Sequence, residues 1–290
     1  MLAWPVPIKT IKIIKIKVVL ILILILAVTS CTVTKNYTNP ERPKFSGNFT
    51  TETPDFDGAV KVVTYNIKLS EEIYEAIEDL ERISELLNAD IILLQEMDED
   101  GVAMIAQRLL YNFIYYPASL HYKHEKNYGN AILSKWPIKD HRKIVLPYEH
   151  PMNKQIRIAA IATIEVEEFE ILTYSVHTEM FWLGGKKKLE QVDSVLRSVA
   201  DHFDYVIIGG DFNTNTENGV LETDKLFTQA GFLRASKGVG TTSKVDLLGL
   251  TDFELDHIFV KGFTPITCGK CEDAQSSDHF PVWVTLLLKK

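Results

Sequence analysis

The sequence predicts an α/β protein in which two mixed β-sheets pack face to face and helices cover each outer side. Two observations lead there. Short β-type runs alternate with helical runs along most of the 290 residues. A long β-run over 156–166 is followed closely by another over 170–176, a spacing that makes antiparallel hairpins and argues against a purely parallel, doubly wound sheet.

Taken in order, the chain opens on an address. Residues 9–17 are cationic, and residues 18–28 are uninterrupted apolar. A charged lead, a short apolar run and small residues before a cut site describe a secretory signal. The run is far short of the ~20 residues that span a bilayer as a helix. Val28-Thr29-Ser30-Cys31 resembles a bacterial lipobox, in which the cysteine is diacylated and becomes the new N-terminus. An uncleaved anchor with an incidental cysteine is the alternative. Both place the body in the cell envelope, outside the cytoplasm and held to a lipid surface. Thr32 is not the Asp that retains some lipoproteins at the inner membrane, which favours the outer one. Residues 1–30 are thus expected as signal peptide and 31–57, polar and rich in Thr, Asn and Pro, as a flexible tether. The folded domain is expected over 58–290.

Within that domain, strands are expected at 60–65, 91–94, 130–133, 156–166, 170–176, 205–208, 257–260 and 282–288. Helical periodicity covers 71–87, through Ile73, Ile77, Leu80, Ile83, Leu86 and Leu87, and 189–203, through Val192, Val195, Leu196 and Val199. Shorter helices are expected at 102–110 and 220–230. The net charge is −8, and since residues 1–30 carry four lysines and no acid, the remainder carries −12. So acidic a body has no long-range attraction for nucleic acid. Three cysteines are too few for a disulfide scaffold.

The polar residues of interest sit at the ends of apolar runs. Asn66 follows Val62-Val63-Thr64-Tyr65, Glu96 follows Ile91-Ile92-Leu93-Leu94-Gln95, and His177 follows Leu172-Thr173-Tyr174-Ser175-Val176. Asp211 ends Val206-Ile207-Ile208-Gly209-Gly210, with Asn213 two residues on. Asp256 opens a strand, and Asp278-His279 precede another. Strand ends gather distant positions at one edge, so these residues are expected to form one polar site. Carboxylates and an amide oxygen suit a hard ion such as Mg²⁺ or Mn²⁺, and a histidine exchanges a proton near neutral pH. Singly, each has a duller reading: an Asp or Asn after a strand caps a turn, and Glu96 with Asp98, Glu99 and Asp100 reads as a solvated helix N-terminus.

As an ordered set the motifs are more specific. Thr64-Tyr65-Asn66-Ile67, Leu94-Gln95-Glu96, Tyr128-Gly129-Asn130-Ala131-Ile132-Leu133-Ser134, Val176-His177-Thr178, Gly209-Gly210-Asp211-Phe212-Asn213, Asp256-His257-Ile258 and Ser277-Asp278-His279-Phe280-Pro281-Val282 resemble the endonuclease/exonuclease/phosphatase superfamily over residues 60–288. The resemblance implies a four-layer α/β/β/α sandwich and a metal-dependent phosphoric ester hydrolase. It implies that Glu96, with Asn66 and Asp278, holds the metal, and that Asp211 and Asn213 orient water and phosphate. His279, paired with Asp256, would be general base or phosphate contact. His177 would touch the phosphate or protonate the leaving group.

Several features stay open. Arg157 resembles the family's mid-chain arginine loosely and reads as a surface-strand residue; Lys186-Lys187-Lys188 reads as a solvated charge run. Cys268 and Cys271 are expected as a structural disulfide, with free thiols and a metal half-site as alternatives. The aromatics Tyr111, Phe113, Tyr115, Tyr116, Tyr122 and Tyr128, interleaved with Lys123 and Lys126, are expected as strand and core residues rather than a base-stacking or membrane surface. Phe181-Trp182-Leu183 is a small candidate for a lipid-inserting hairpin. The substrate is a phosphate ester of unknown class, cleaved as a diester or monoester. A secreted nuclease, a sphingomyelinase-like phospholipase and an inactive binding module are the alternatives. The protein is expected to be monomeric, with the membrane reached through its lipid.

Overall fold

The computed structural model describes residues 34–121, 125–180, 183–245 and 253–289. The signal region, Cys31, Tyr122, Lys123, Phe181 and Trp182 lie outside the described residues. In chain order the strands are β1 (Lys35–Asn36), β2 (Phe45–Asn48), β3 (Ala59–Asn66), β4 (Ile91–Met97), β5 (Asn112–Leu120), β6 (Asn127–Ser134), β7 (Ile138–Glu149), β8 (Ile156–Val166), β9 (Phe169–His177), β10 (Tyr205–Asp211), β11 (Leu233–Arg234), β12 (Asp256–Lys261), β13 (Phe263–Lys270) and β14 (Val282–Leu288). The α-helices are α1 (Ile73–Arg82), α2 (Glu99–Leu109), α3 (Gly185–Arg197) and α4 (Glu217–Gln229).

One sheet runs β1-β5-β6-β4-β3-β14-β13, with β2 also on β5; the other runs β11-β12-β10-β9-β8-β7. Each holds one parallel pair, β3 with β4 and β9 with β10, in an otherwise antiparallel ladder. The strands read as unbroken apolar runs because both faces are buried. Val60 and Val62 of β3 face the other sheet, while Val63 and Tyr65 face outward under α1 and α2. On β10, Ile207 faces inward, while Val206 and Ile208 pack with Val192 and Val195 of α3 and Phe227 of α4. The result is the α/β/β/α sandwich expected from the sequence.

Residues 34–57 correct the tether reading. β1 and β2 pair antiparallel with β5. Trp136 Nε1 donates to Pro54 O at 3.1 Å, and Phe56 packs on Trp136 and Phe169. The polar composition hides three spaced anchors: Phe45 lies against Tyr115, Phe49 stacks on Phe113, and Phe56 closes the sheet interface. The first helix is also shorter than its periodicity, since Ile83 turns extended and Leu87 is left exposed.

Cys268 and Cys271 are free thiols, not a disulfide. Three positions apart along extended chain, their side chains point to opposite faces. Cys268 packs toward the inter-sheet core, and Cys271 is buried in the outer layer with Ala274.

Candidate active site

The two parallel pairs point their C-terminal ends the same way, and the register does the rest. His177, Asp211 and Asp256 stand side by side on β9, β10 and β12, as direct cross-strand partners. In the facing sheet Asn66 ends β3, Glu96 lies near the end of β4, and β14 begins opposite Thr64, which brings Asp278 and His279 back beside Asn66. Buried side chains bridge the sheets just beneath. Gln95 Nε2 donates to Ser175 Oγ (3.0 Å), Ser175 Oγ to Leu94 O (2.9 Å), and Asn130 Nδ2 to Ser175 O (2.9 Å) and Ile158 O (3.1 Å).

Local backbone explains the motif spellings. Gly210 lies in the left-handed half of conformational space (φ 148°), and a Cβ there would meet Val176 O at 1.9 Å, so only glycine lets β10 approach β9 this closely. Glu96 and Asn213 both hold positive φ, 60° and 50°, conformations uncommon outside glycine and found at functional sites. Glu96 sits in an irregularity between Leu94 and Met97 that aims its carboxylate into the cleft. The acids after it do form a helix N-terminus, with Asp98 Oδ1 accepting from Gly101 N at 2.7 Å. Glu96 itself stays out of that helix.

The polar groups converge. Asn66 Nδ2 donates to Glu96 Oε1 (3.2 Å) and Asp211 Oδ2 (3.0 Å). His177 Nε2 is 3.4 Å from Asp211 Oδ2 and 3.9 Å from Glu96 Oε1. His279 Nδ1 pairs with Asp256 Oδ2 at 2.8 Å, leaving its Nε2 4.0 Å from Asp211 Oδ2. Asn213 N donates to Asp211 Oδ1 (2.8 Å), and its Nδ2 to Thr178 O (3.1 Å). Ser277 Oγ donates to Asn66 O (2.6 Å), fixing the turn that carries Asp278 and His279. Thr242, unflagged by the sequence, donates its hydroxyl to Asp256 Oδ2 (2.7 Å). Asp278 lines the same cavity, of about 210 Å³, with Glu96, His177, Asp211, Asn213 and His279.

Electrostatics separate these groups. Burial pushes Asp211 up to about 7, with His279 opposing and Asp256 reinforcing. For His279 burial acts downward, but Asp256 overrides it by charge and hydrogen bond, helped by Asp211 and Asp278, raising it to about 10. His177 is held neutral, well below its ordinary value, by burial and then by Arg157 and His279.

That arginine corrects the surface reading. Arg157 is 5% exposed and spans the floor of the site. Its Nη1 donates to Tyr128 OH (2.5 Å) and lies 3.3 Å from His177 Nε2, while Nε and Nη2 reach Glu179 Oε2 (3.3 Å) and Oε1 (3.2 Å). Tyr128 OH is also 3.3 Å from His177 Nδ1. Glu179 escaped notice in the sequence, although it falls two residues beyond His177. Lys188 likewise leaves the solvated run, with Nζ on Asn213 O (2.6 Å) and Asn215 Oδ1 (3.0 Å), while Lys186 and Lys187 stay exposed. Of the aromatic stretch, Tyr111, Phe113, Tyr115, Tyr116 and Tyr128 are buried, as expected of strand and core.

The sequence profile of the endonuclease/exonuclease/phosphatase family matches residues 63–279, three quarters of the chain. The chain belongs to that family. Its members are metal-dependent phosphoester hydrolases, and the donor set fits. Glu96, His177 and Asp211 each offer a ligand atom within 4.8 Å of the others, as do Asp211, Asp256 and His279; of the ligands expected from the sequence only Glu96 is in these groups, with Asn66 hydrogen-bonded to it and Asp278 lining the same cavity. Among curated relatives, a UPF0294 protein of Vibrio vulnificus is 24% identical over 118 residues, 41% of this chain and 40% of that one. The match thus spans well under half of that relative. Among solved structures, the family protein of Bacteroides vulgatus superimposes with a TM-score of 0.64 at 19% identity, over 80% of this chain and 99% of that one. The mannosyl-6-phosphatase of Bacteroides thetaiotaomicron superimposes with a TM-score of 0.61 at 18% identity, over 79% and 100%. At such identities these two likenesses speak for the fold.

Proposed function

We propose that this chain hydrolyses phosphate esters, as a phosphodiesterase or phosphomonoesterase, with Mg²⁺ or Mn²⁺ held by Glu96, Asn66 and Asp278. The observation that carries the reading is Asn66: its Nδ2 meets the Glu96 carboxylate at 3.2 Å, while its buried Oδ1 has no hydrogen-bond partner among the described residues. An unpaired buried acceptor costs about 1–3 kcal/mol, and oxygen donors of this kind are what a hard divalent ion takes. The ion, when bound, polarises a phosphoryl oxygen and steadies the leaving oxygen.

The chain's own groups divide the remaining work. Asp211 Oδ2 faces Asn66, His177 and His279, so it is placed to take the proton of an attacking water. Asn213 fixes that carboxylate through its backbone N–H. His279, with Nδ1 committed to Asp256, presents Nε2 to the cavity as a donor to a phosphoryl oxygen. His177 lies across Asp211 Oδ2 from His279 in the same polar cluster, where it would contact that phosphate, its ring held by Tyr128 and Arg157. The activity named for the Bacteroides thetaiotaomicron neighbour, a mannosyl-6-phosphatase, supports the reaction class and says nothing of a sugar here.

On the pattern of residues 9–31, we further propose that Cys31 is acylated and holds a monomeric body on the cell envelope. Incorporation of labelled palmitate that persists in Cys31→Ser would refute this. The activity itself is tested on bis(4-nitrophenyl) phosphate, duplex DNA and sphingomyelin, with Mg²⁺, Mn²⁺ or EDTA, using wild type and His279→Ala. Turnover that needs both the metal and His279 is expected. Turnover unaffected by EDTA, or none on any substrate, would sink the reading.

A further inference from the structure

The cavity has two unlike walls. One is polar, the cluster of Glu96, His177, Asp211, Asn213, Asp278 and His279 with Asn215 and Ser243; the other is apolar, formed by Met180, Val245, Phe253 and Leu255. This second wall is fastened to the reacting groups. Leu255 immediately precedes Asp256, and its N–H goes to Thr242 Oγ1 at 2.9 Å, the hydroxyl that also donates to Asp256. Phe253 O accepts from Thr242 N (2.9 Å) and Ser243 N (3.3 Å). Lys244 N donates to Asp278 O (2.7 Å), which fixes Val245 one residue on. Val245 and Met180 remain 40% and 39% exposed, large apolar side chains facing water beside a buried charge cluster. Exposed apolar surface collected at a cleft marks a place where something apolar binds, and a methionine at its edge adapts to varied shapes.

The nearby cations are turned elsewhere. Lys188 is spent on Asn213 O and Asn215, Lys244 Nζ on Ala274 O, and Lys270 on Thr241 O and Glu272. Lys68 pairs with Glu71 at 3.3 Å. Among the described residues no lysine or arginine side chain lines the cavity. A nucleic-acid substrate carries further phosphates next to the one cleaved, and each asks for a cation or N–H donor. This cleft offers hydrocarbon in that position.

We propose that the Met180–Val245–Phe253–Leu255 wall receives an apolar substituent of the phosphate, so that the substrates are phosphate esters bearing an alkyl, acyl-chain or aryl group. The proposal rests on the phosphoesterase reading above and names its substrate class. A fully buried methylene strengthens binding up to ~4-fold; on a wall open to solvent on one side, about twofold is expected.

The test is calorimetric titration of the protein, in Mn²⁺, with methyl, butyl, hexyl and phenyl phosphate. Affinity should rise about twofold per methylene, so that hexyl phosphate binds roughly 30-fold tighter than methyl phosphate. Phe253→Ser and Val245→Ser should flatten that slope; the readout is the slope, so a variant that is partly unfolded and binds every member less well does not imitate the effect. A hexyl advantage over phenyl phosphate assigns the wall to a chain, and the reverse assigns it to a ring. Equal affinity for all four, or a slope unchanged in both variants, overturns the proposal. Turnover of bis(4-nitrophenyl) phosphate is read alongside. A rising affinity without turnover would sink the phosphoesterase reading and leave the apolar wall standing, whereas turnover with a flat series would do the opposite.

Discussion

Replacing Arg157 by methionine removes a charge from beneath the site while keeping most of the side-chain volume. Its partner Glu179 has a fully buried side chain, and that of Arg157 is 6% exposed, so water cannot take over the role. In the variant, Glu179 Oε2 loses the Arg157 Nε donor, and Oε1 retains the N–H of Met180 at 2.9 Å. Breaking a buried pair from one side costs about 3–5 kcal/mol, because the stranded charge stays desolvated. Against a domain stability of ~5–15 kcal/mol, that is a large share. With a urea slope of ~2–3 kcal/mol per molar, the unfolding midpoint should fall by roughly 1–2 M. The double variant Arg157→Met with Glu179→Met removes the stranded charge as well and should recover most of the loss. A single variant that loses under ~1 kcal/mol, or a double variant no more stable than the single, would refute the description of this pair as a buried, mutually dependent unit.

Three further outcomes follow from the same geometry. Asp256→Asn removes the charge that holds His279 in its cationic state, and should lower kcat/KM on bis(4-nitrophenyl) phosphate roughly a hundred- to ten-thousandfold, as loss of a histidine-orienting carboxylate does elsewhere; a loss under about tenfold counts against that role. Gly210→Ala places a methyl 1.9 Å from Val176 O and should destabilise by more than ~3 kcal/mol in urea or prevent folding; an effect of ~1 kcal/mol or less would mean that β9 and β10 are not so tightly apposed. Lys143 is fully buried with its Nζ on Pro117 O, and burial alone pulls it down to about 8 from 10.5. Folding therefore disfavours its charged form: the penalty is complete below about pH 8 and fades as pH rises toward the free-chain value. Relative to Lys143→Met, the wild type should gain up to ~1.4 kcal/mol per pH unit between about pH 8 and 9.5; urea midpoints that keep a constant gap across that window would argue against it.

Much of this architecture is legible in the chain because strands buried on both faces spell themselves as apolar runs, and because functional residues here end those runs. Asn66, Glu96, His177 and Asp211 could be read that way, and the cross-strand register brings them together. What escapes is pairing that no local pattern encodes. Arg157 and Glu179 are each ordinary in sequence, and only the β8–β9 pairing brings them into contact. Lys188 sits in a charge run whose members differ only in where the helix points them. β1 and β2 are too short, two and four residues, to show periodicity. The thiols of Cys268 and Cys271 suggest a bridge by proximity along the chain, and strand geometry forbids it.

The docking of the first described residues has a consequence for how this protein meets its surroundings. Thr34 is buried, with Oγ1 donating to Asn153 O, and Asn36 Nδ2 donates to Lys154 O. The Asn153-Lys154 turn lies just before Arg157, at the same end of β8 that touches His177. With Cys31 acylated as proposed, only two residues separate it from Thr34, which is docked at the start of β8, so the leash is about 10 Å. A protein so held would not sweep the surrounding solution on a long arm; it would graze, with the start of β8 kept near the lipid headgroups and its encounters confined to two dimensions. Inserting a ten-residue flexible segment after Cys31 should then slow turnover of a bilayer-borne ester and leave a soluble one untouched. Equal rates on both would show that the short leash has no such effect.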